Sequence, residues 1–163
     1  MPAMTDPSIA LQSFQTALRR REIQLLEGTL HPDLRVYADP LDRIVRITYA
    51  LTEGDEVTAY VAFVAAEPVN GEPCFQVGYA VPEAHRGLGL AKQIVRAAID
   101  EMQHGFARSK MPAFHIEAIV GADNAASRRV AESTLGEGRP GIDALSGLPA
   151  FYYERRIQLP GRP

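Results

Sequence analysis

Cysteine occurs once in these 163 residues, at Cys74, which excludes an internal disulfide and any multi-cysteine metal site. Inside a strand-like run, that lone thiol reads as a half-buried structural residue rather than a nucleophile. No stretch approaches the roughly 18 apolar residues of a membrane span, and the first six residues lack the basic-then-apolar layout of a signal peptide. The expectation is a cytoplasmic protein with no membrane partner. Basic charge is scarce as well: the formal net charge is -3, whereas a domain that holds nucleic acid carries a basic face, so no nucleic-acid partner is expected. The cluster Arg19, Arg20 and Arg21 falls late in a helical pattern and reads as a solvated helix end favoured by the helix dipole. Two familiar nucleotide loops are missing. There is no G-x-x-x-x-G-K-[ST], and the dinucleotide fingerprint would need a third glycine where Lys92 stands. Its acidic partner is absent too, because Asp100 and Glu101 lie within a helical pattern instead of ending a second strand.

What is present is enough for one compact unit, since 46% of the residues are hydrophobic and neither repeats nor low-complexity segments divide the chain. Residues 8–30 place Ile9, Phe14, Leu18, Ile23, Leu25 and Leu26 at helical spacing, predicting one or two N-terminal helices within 1–30. A short strand at 34–37, closed by Asp39 and Pro40, precedes alternating runs at 43–51 and 57–65, and the Asn70–Gly71 pair turns the chain into 75–81. The last three runs read as an antiparallel meander. A helical stripe, Leu90, Ala91, Ile94, Val95, Ala98 and Met102, is expected to end at Gly105. A strand at 114–120, a helix at 125–135, a loop at 136–149 rich in glycine and proline, and a strand at 151–157 complete the order.

The most informative stretch is Arg86, Gly87, Leu88, Gly89, Leu90, Ala91, which joins the strand at 75–81 to the helix beginning near Leu90. Glycines at 87 and 89 let backbone N–H groups turn toward a ligand with no Cβ in the way, and the helix start adds unfilled donors and a positive dipole end. That is a place for an anion. Charge-assisted hydrogen bonds contribute about 1.5–3 kcal/mol each, so several amides around one pyrophosphate would anchor a nucleotide-containing molecule without a metal.

Val81 and Pro82 ahead of this loop, together with Asn124, Ala125, Ala126 and Ser127 after the strand at 115–120, resemble the GNAT superfamily of acyl-CoA-dependent N-acyltransferases. The superfamily motif V-x-P-x-x-R/Q-G-x-G-x-G/A is similar to residues 81–91, with one extra residue between proline and arginine, and N-x-x-S/A is met by Asn124 and Ser127. The resemblance is clearest over 43–136 and implies one domain across 1–163. Its fold is mixed α/β, a central mixed and mostly antiparallel sheet flanked by helices and splayed at the cofactor site. It also implies acetyl-CoA as acyl donor, no metal, and a pyrophosphate on the amides of residues 86–91. The pantetheine arm would lie in the splay, where Pro82 cannot donate to a ladder and Tyr79, Ala80 and Val81 are expected to have free backbone groups. Asn124 and Ser127 would touch the arm from the other side, although an N-cap and a first-turn residue account for them equally well.

Transfer to an amine needs a base, since an amine with a pKa near 10 arrives protonated. The resemblance places a glutamate at Glu117, inside the strand lining the splay, where burial among apolar neighbours would raise its pKa. The superfamily's thiolate-protonating tyrosine falls at Ala131, one helical turn beyond Ser127, which leaves Tyr152 or Tyr153 as replacements on opposite faces of the last strand. The superfamily's glycine-phenylalanine after that helix is also missing, since Gly136 is followed by Glu137. The acceptor implied is a primary amine on a small molecule or peptide, with a protein N-terminus favoured over an aminoglycoside because no strongly acidic cleft is legible. The resemblance leaves room for a homodimer. A degenerate acyl-CoA sensor or interaction module without turnover is the alternative.

Overall fold

Asp6 accepts the Ser8 N–H at 2.8 Å and Pro7 takes the first helical position, so α1 (Pro7–Arg19) begins with a side-chain cap. The computed structural model describes residues 6–41 and 44–160; the expectations for residues 1–5 and for a strand start at Arg43 lie outside them. Among the described residues one helix precedes the sheet. Arg21, at φ +57°, turns the chain out of the helix, and the pattern expected to continue to Leu30 contains instead a short strand, β1 (Leu26–Glu27). Leu26 and Leu30 are exposed, so the helical spacing there had no surface to pack on.

Four antiparallel strands follow as hairpins: β2 (Leu34–Leu41), β3 (Ile44–Glu53), β4 (Glu56–Val69) and β5 (Glu72–Ala80). Asn70 and Gly71, at φ +51° and +77°, make the primed turn that suits the twist of the two flanking strands. The strand foreseen at 34–37 runs on to Leu41, through Asp39 and Pro40, because its ladder with β3 continues to Leu41 and Ile44. The chain then crosses through α2 (Leu90–Phe106) to β6 (Ala113–Gly121), which lies parallel to β5. α3 (Ala125–Leu135), β7 (Arg139–Ile142) and β8 (Pro149–Gln158) complete an eight-stranded sheet of order β1-β2-β3-β4-β5-β6-β8-β7. β7 lies within the stretch expected to be loop: its sequence, Arg139-Pro140-Gly141-Ile142, lacks strand alternation, and pairing with β8 alone makes it an edge strand.

The two sheet faces are covered unequally. α2 and α3 bury Ile94, Val95, Ala98, Ala131 and Leu135 against Phe63, Phe114, Ile116 and Tyr153, while α1 closes a smaller cluster of Leu11, Ala50, Val57, Tyr60 and Ala62 on the opposite face. α2 does not stop at Gly105. It continues one residue to Phe106, whose ring packs on Phe75 and Phe114, so aromatic packing overrides the glycine signal. Near its C-terminal half, Glu101 accepts the backbone N–H groups of Thr29, Leu30 and His31, which fastens the segment before β2 onto α2. Among the described residues, no helix is long and apolar enough to cross a membrane.

Candidate active site

The parallel pairing of β5 with β6 has only three rungs: Cys74 with His115, Phe75 with Ile116, and Gln76 with Glu117. Beyond them each strand stays paired on its outer side, β5 with β4 as far as Ala80 and β6 with β8 as far as Gly121. The result is a V whose vertex is the Gln76–Glu117 rung. Segments 77–79 and 118–121 face each other across a cleft that Asn124, the cap of α3, and Ser127 in its first turn also line. Pro7 and the loop residues Asp143 and Leu145 complete its walls. A splay was expected to start at Pro82, but it starts several residues earlier. Pro82 only ends the strand. The Tyr79 hydroxyl donates to the Ser127 carbonyl at 2.6 Å, so β5 past the vertex is tied to α3 rather than to β6. Of the expected free backbone, the Val81 carbonyl accepts from Arg86 Nε at 3.0 Å, while Tyr79 and Ala80 stand opposite Val61 and Tyr60 of β4 in an antiparallel ladder, where alternate residues turn their N–H and C=O groups to the other side.

At the open end of the V the chain passes through a 3-10 turn, Glu83–His85, that absorbs the extra residue between Pro82 and Arg86. Gly87 and Gly89 follow at φ +82° and +74°, left-handed values that a side chain would strain, and a Cβ on either would enter open space. Gly89 is the N-cap of α2 and supplies no side chain, so the first-turn amides of Leu90, Ala91 and Lys92 have no side-chain acceptor there. α1 and α3 differ, being capped by Asp6 and by Asn124, whose Oδ1 accepts the Ser127 N–H at 3.2 Å. This open cradle and the neighbouring V fit a long donor with an anionic end and an extended amide-bearing arm. Leu88, exposed between the two glycines, flanks it.

Glu117 is half-buried at the vertex. Burial foremost, and then the charge of Glu154, push its carboxyl above the usual carboxylate range, against the opposing pulls of the Cys74 thiol and His115. The flanking Ile116 and Ala118 contribute little to this, because they point to the opposite face, into the α2–α3 core. Cys74 is buried and its thiol is pushed up to about 12, mainly by burial, which makes it inert. Sequence reading passed over the neighbours of Glu117. His115 Nε2 lies 2.9 Å from Glu72, His115 Nδ1 lies 3.2 Å from Glu154, and Arg156 grips both oxygens of Glu72 at 2.9 Å. Strand alternation at residues 72, 115, 117, 154 and 156 was the available signal, but only the strand order puts them together.

Neither candidate replacement for the missing tyrosine lines the cleft. Tyr152 donates its hydroxyl to the Ile142 carbonyl, and Tyr153 is fully buried, its hydroxyl without a hydrogen-bond partner among the described residues. Strand alternation correctly separates the two onto opposite faces, but the β7 edge claims one and the core the other. Ala131 is buried beside Tyr153.

The chain belongs to the GNAT acetyltransferase family. The family described as Acetyltransferase (GNAT) domain matches residues 29–134. No curated protein matches the chain by sequence. Among solved structures, an acetyltransferase of GNAT family from Streptococcus pneumoniae is 12% identical, with TM-score 0.54, covering 95% of this chain and 97% of that one. A ribosomal-protein-S5-alanine acetyltransferase from Vibrio fischeri is 14% identical, with TM-score 0.52 and coverage of 74% and 64%. The RimL ribosomal L7/L12 alpha-N-protein acetyltransferase in complex with coenzyme A is 22% identical, with TM-score 0.47; the match covers 69% of this chain and 62% of that one. The fold is thus the GNAT acetyltransferase fold, with an open eight-stranded mixed sheet.

Proposed function

We propose that this protein transfers the acetyl group of acetyl-CoA to a primary amine by direct attack in a ternary complex, the acceptor being the N-terminal amine of a peptide or protein. The observation that carries the reading is the V between β5 and β6, with a half-buried carboxylate at its vertex and an uncapped, glycine-led helix start at its open end. Amides of residues 87–91 would hold the pyrophosphate, with Arg86 bracing the loop through its bond to Val81. The arm would pass between Tyr79 and Ala80 on one side and Asn124 and Ser127 on the other. The bound donor supplies an activated thioester carbonyl. Glu117 takes the proton of the incoming ammonium, and the upward shift of its carboxyl, caused first by burial and then by Glu154, is in the direction a base needs. A peptide amine is favoured over a polycationic sugar because Arg156 already pairs with Glu72, which leaves less free negative charge near the vertex.

The second reading, an acyl-CoA-binding module without turnover, is favoured by one feature. Among the described residues, the tyrosine that lines the cleft, Tyr79, is pushed up to about 12, chiefly by burial, and its hydroxyl is committed to the Ser127 carbonyl rather than to the thiolate. A thiol with pKa near 8.5 still leaves unassisted at pH 7 for about 2 kcal/mol, which permits catalysis. Thiol release from acetyl-CoA, measured with a panel of peptides and small amines, separates the readings. Amine-dependent release supports transfer; tight acetyl-CoA binding with no release above the hydrolytic background supports the module.

A further inference from the structure

Glu117 and Glu154 stand directly opposite each other in the β6–β8 register and therefore share a face. Residues so placed have Cβ atoms about 4.5–5.5 Å apart, and like charges there destabilise a sheet. A pair kept against sheet stability, at the vertex of the cleft, asks for a reason. The surrounding charges sharpen the question. Gathered around the vertex are the carboxylates Glu72, Glu117 and Glu154, with Arg156 and His115 among them. Arg156 is spent on Glu72 in a two-pronged grip. His115, buried, faces Glu72 with one ring nitrogen at 2.9 Å and Glu154 with the other at 3.2 Å. These hydrogen bonds do not include Glu117, and His115 is the smallest of the influences on it, opposing burial and Glu154. Its neighbours are Cys74 from β5, Glu154 from β8 and His115 along its own strand.

We propose that Glu154 is a positioning residue for Glu117, held by the His115–Glu72–Arg156 chain so that its negative charge keeps the base avid for a proton. The proposal rests on the reading of Glu117 as the base. In the step concerned, an amine N–H bond breaks, its electron pair stays on nitrogen, and an O–H bond forms on Glu117. The charge on the pair falls from two to one. Repulsion present before the transfer is relieved by it, which is how a neighbouring carboxylate strengthens a base. His115 serves the arrangement by contacting Glu154, whose side chain is 42% exposed, at 3.2 Å. The burial and Glu154 contributions that raise Glu117 agree in sign with this geometry.

The test compares the pH dependence of kcat/KM in the wild type, Glu154→Gln, Glu154→Asp and Glu117→Gln, with acetyl-CoA and the best amine of the panel. Removal of the charge in Glu154→Gln should move the acidic limb to lower pH by about half a unit or more, while the melting temperature holds or rises because a like-charge pair is gone. Glu154→Asp, which keeps the charge, should restore most of the limb. A folded Glu154→Gln whose limb lies within about 0.2 pH unit of the wild type overturns the positioning role, provided Glu117→Gln has lost its limb. A wild-type limb persisting in Glu117→Gln instead removes the base itself, and the present proposal with it. Independently of turnover, carboxyl NMR titration should find Glu117 ionising at lower pH in Glu154→Gln than in the wild type; coincident titrations overturn the proposal.

Discussion

At Gly89 a single missing Cβ decides whether a ligand meets backbone. The residue combines φ +74°, open space above its Cα and the N-cap position of α2, so Gly89→Val both strains the turn and fills the cradle. Acetyl-CoA affinity by calorimetry should fall by well over threefold, a threshold equal to about 0.7 kcal/mol. Glu117→Gln keeps size but not basicity, so turnover should drop by roughly 10²–10⁴ with acetyl-CoA binding nearly intact. Glu72 titrates in the other direction. Hydrogen bonds from Arg156, then His115, hold its carboxyl down at about 2 from 4.5. A depressed carboxyl contributes stability that is complete above about 4.5 and lost as pH falls toward 2. Thermal melts of Glu72→Gln should therefore show a flatter acid limb than the wild type across that window.

Among the elements, those whose ends carry chemical punctuation were the most legible. Asn124 and the turn at Gly136 bracket α3 at 125–135, and Asn70–Gly71 turns β4 into β5. The misjudged ends were those that depend on partners distant in sequence. α2 overran Gly105 because Phe106 packs on Phe75, and β2 overran Pro40 because β3 supplies a ladder. The 28–31 segment is another such case, since its amides find a carboxylate some seventy residues away, on α2. Glu101→Ala should release it, and with the freed N–H groups returning to water, the loss should be about 1.5–3 kcal/mol in denaturant unfolding. Equal stability of the variant would show that the clamp contributes nothing net.

At the scale of the whole molecule, the sheet separates two compartments, a helix-covered core and the opposite face on which Glu117, Glu154 and His115 lie. Ala131 belongs to the first. It is fully buried in the same core cluster as Tyr153, with the Tyr79 hydroxyl on the Ser127 carbonyl one turn earlier in α3, so helical spacing from Ser127 does not bring position 131 into free space. Ala131→Tyr should overpack, costing about 1–3 kcal/mol in thermal unfolding, and should give no gain in turnover. A faster, equally stable variant would return that position to the cleft. The sequence by itself determined the glycine loop on a helix start, the Asn124 cap, the strand bearing Glu117 and the mixed α/β class, because each is written in neighbouring residues through backbone freedom, capping and periodicity. Only the tertiary structure decided where β5 and β6 part, which face each tyrosine meets, and that Glu72, His115, Glu154 and Arg156 gather around the vertex. Those outcomes depend on strand order and register, which join residues far apart in the chain and are set by packing across the sheet.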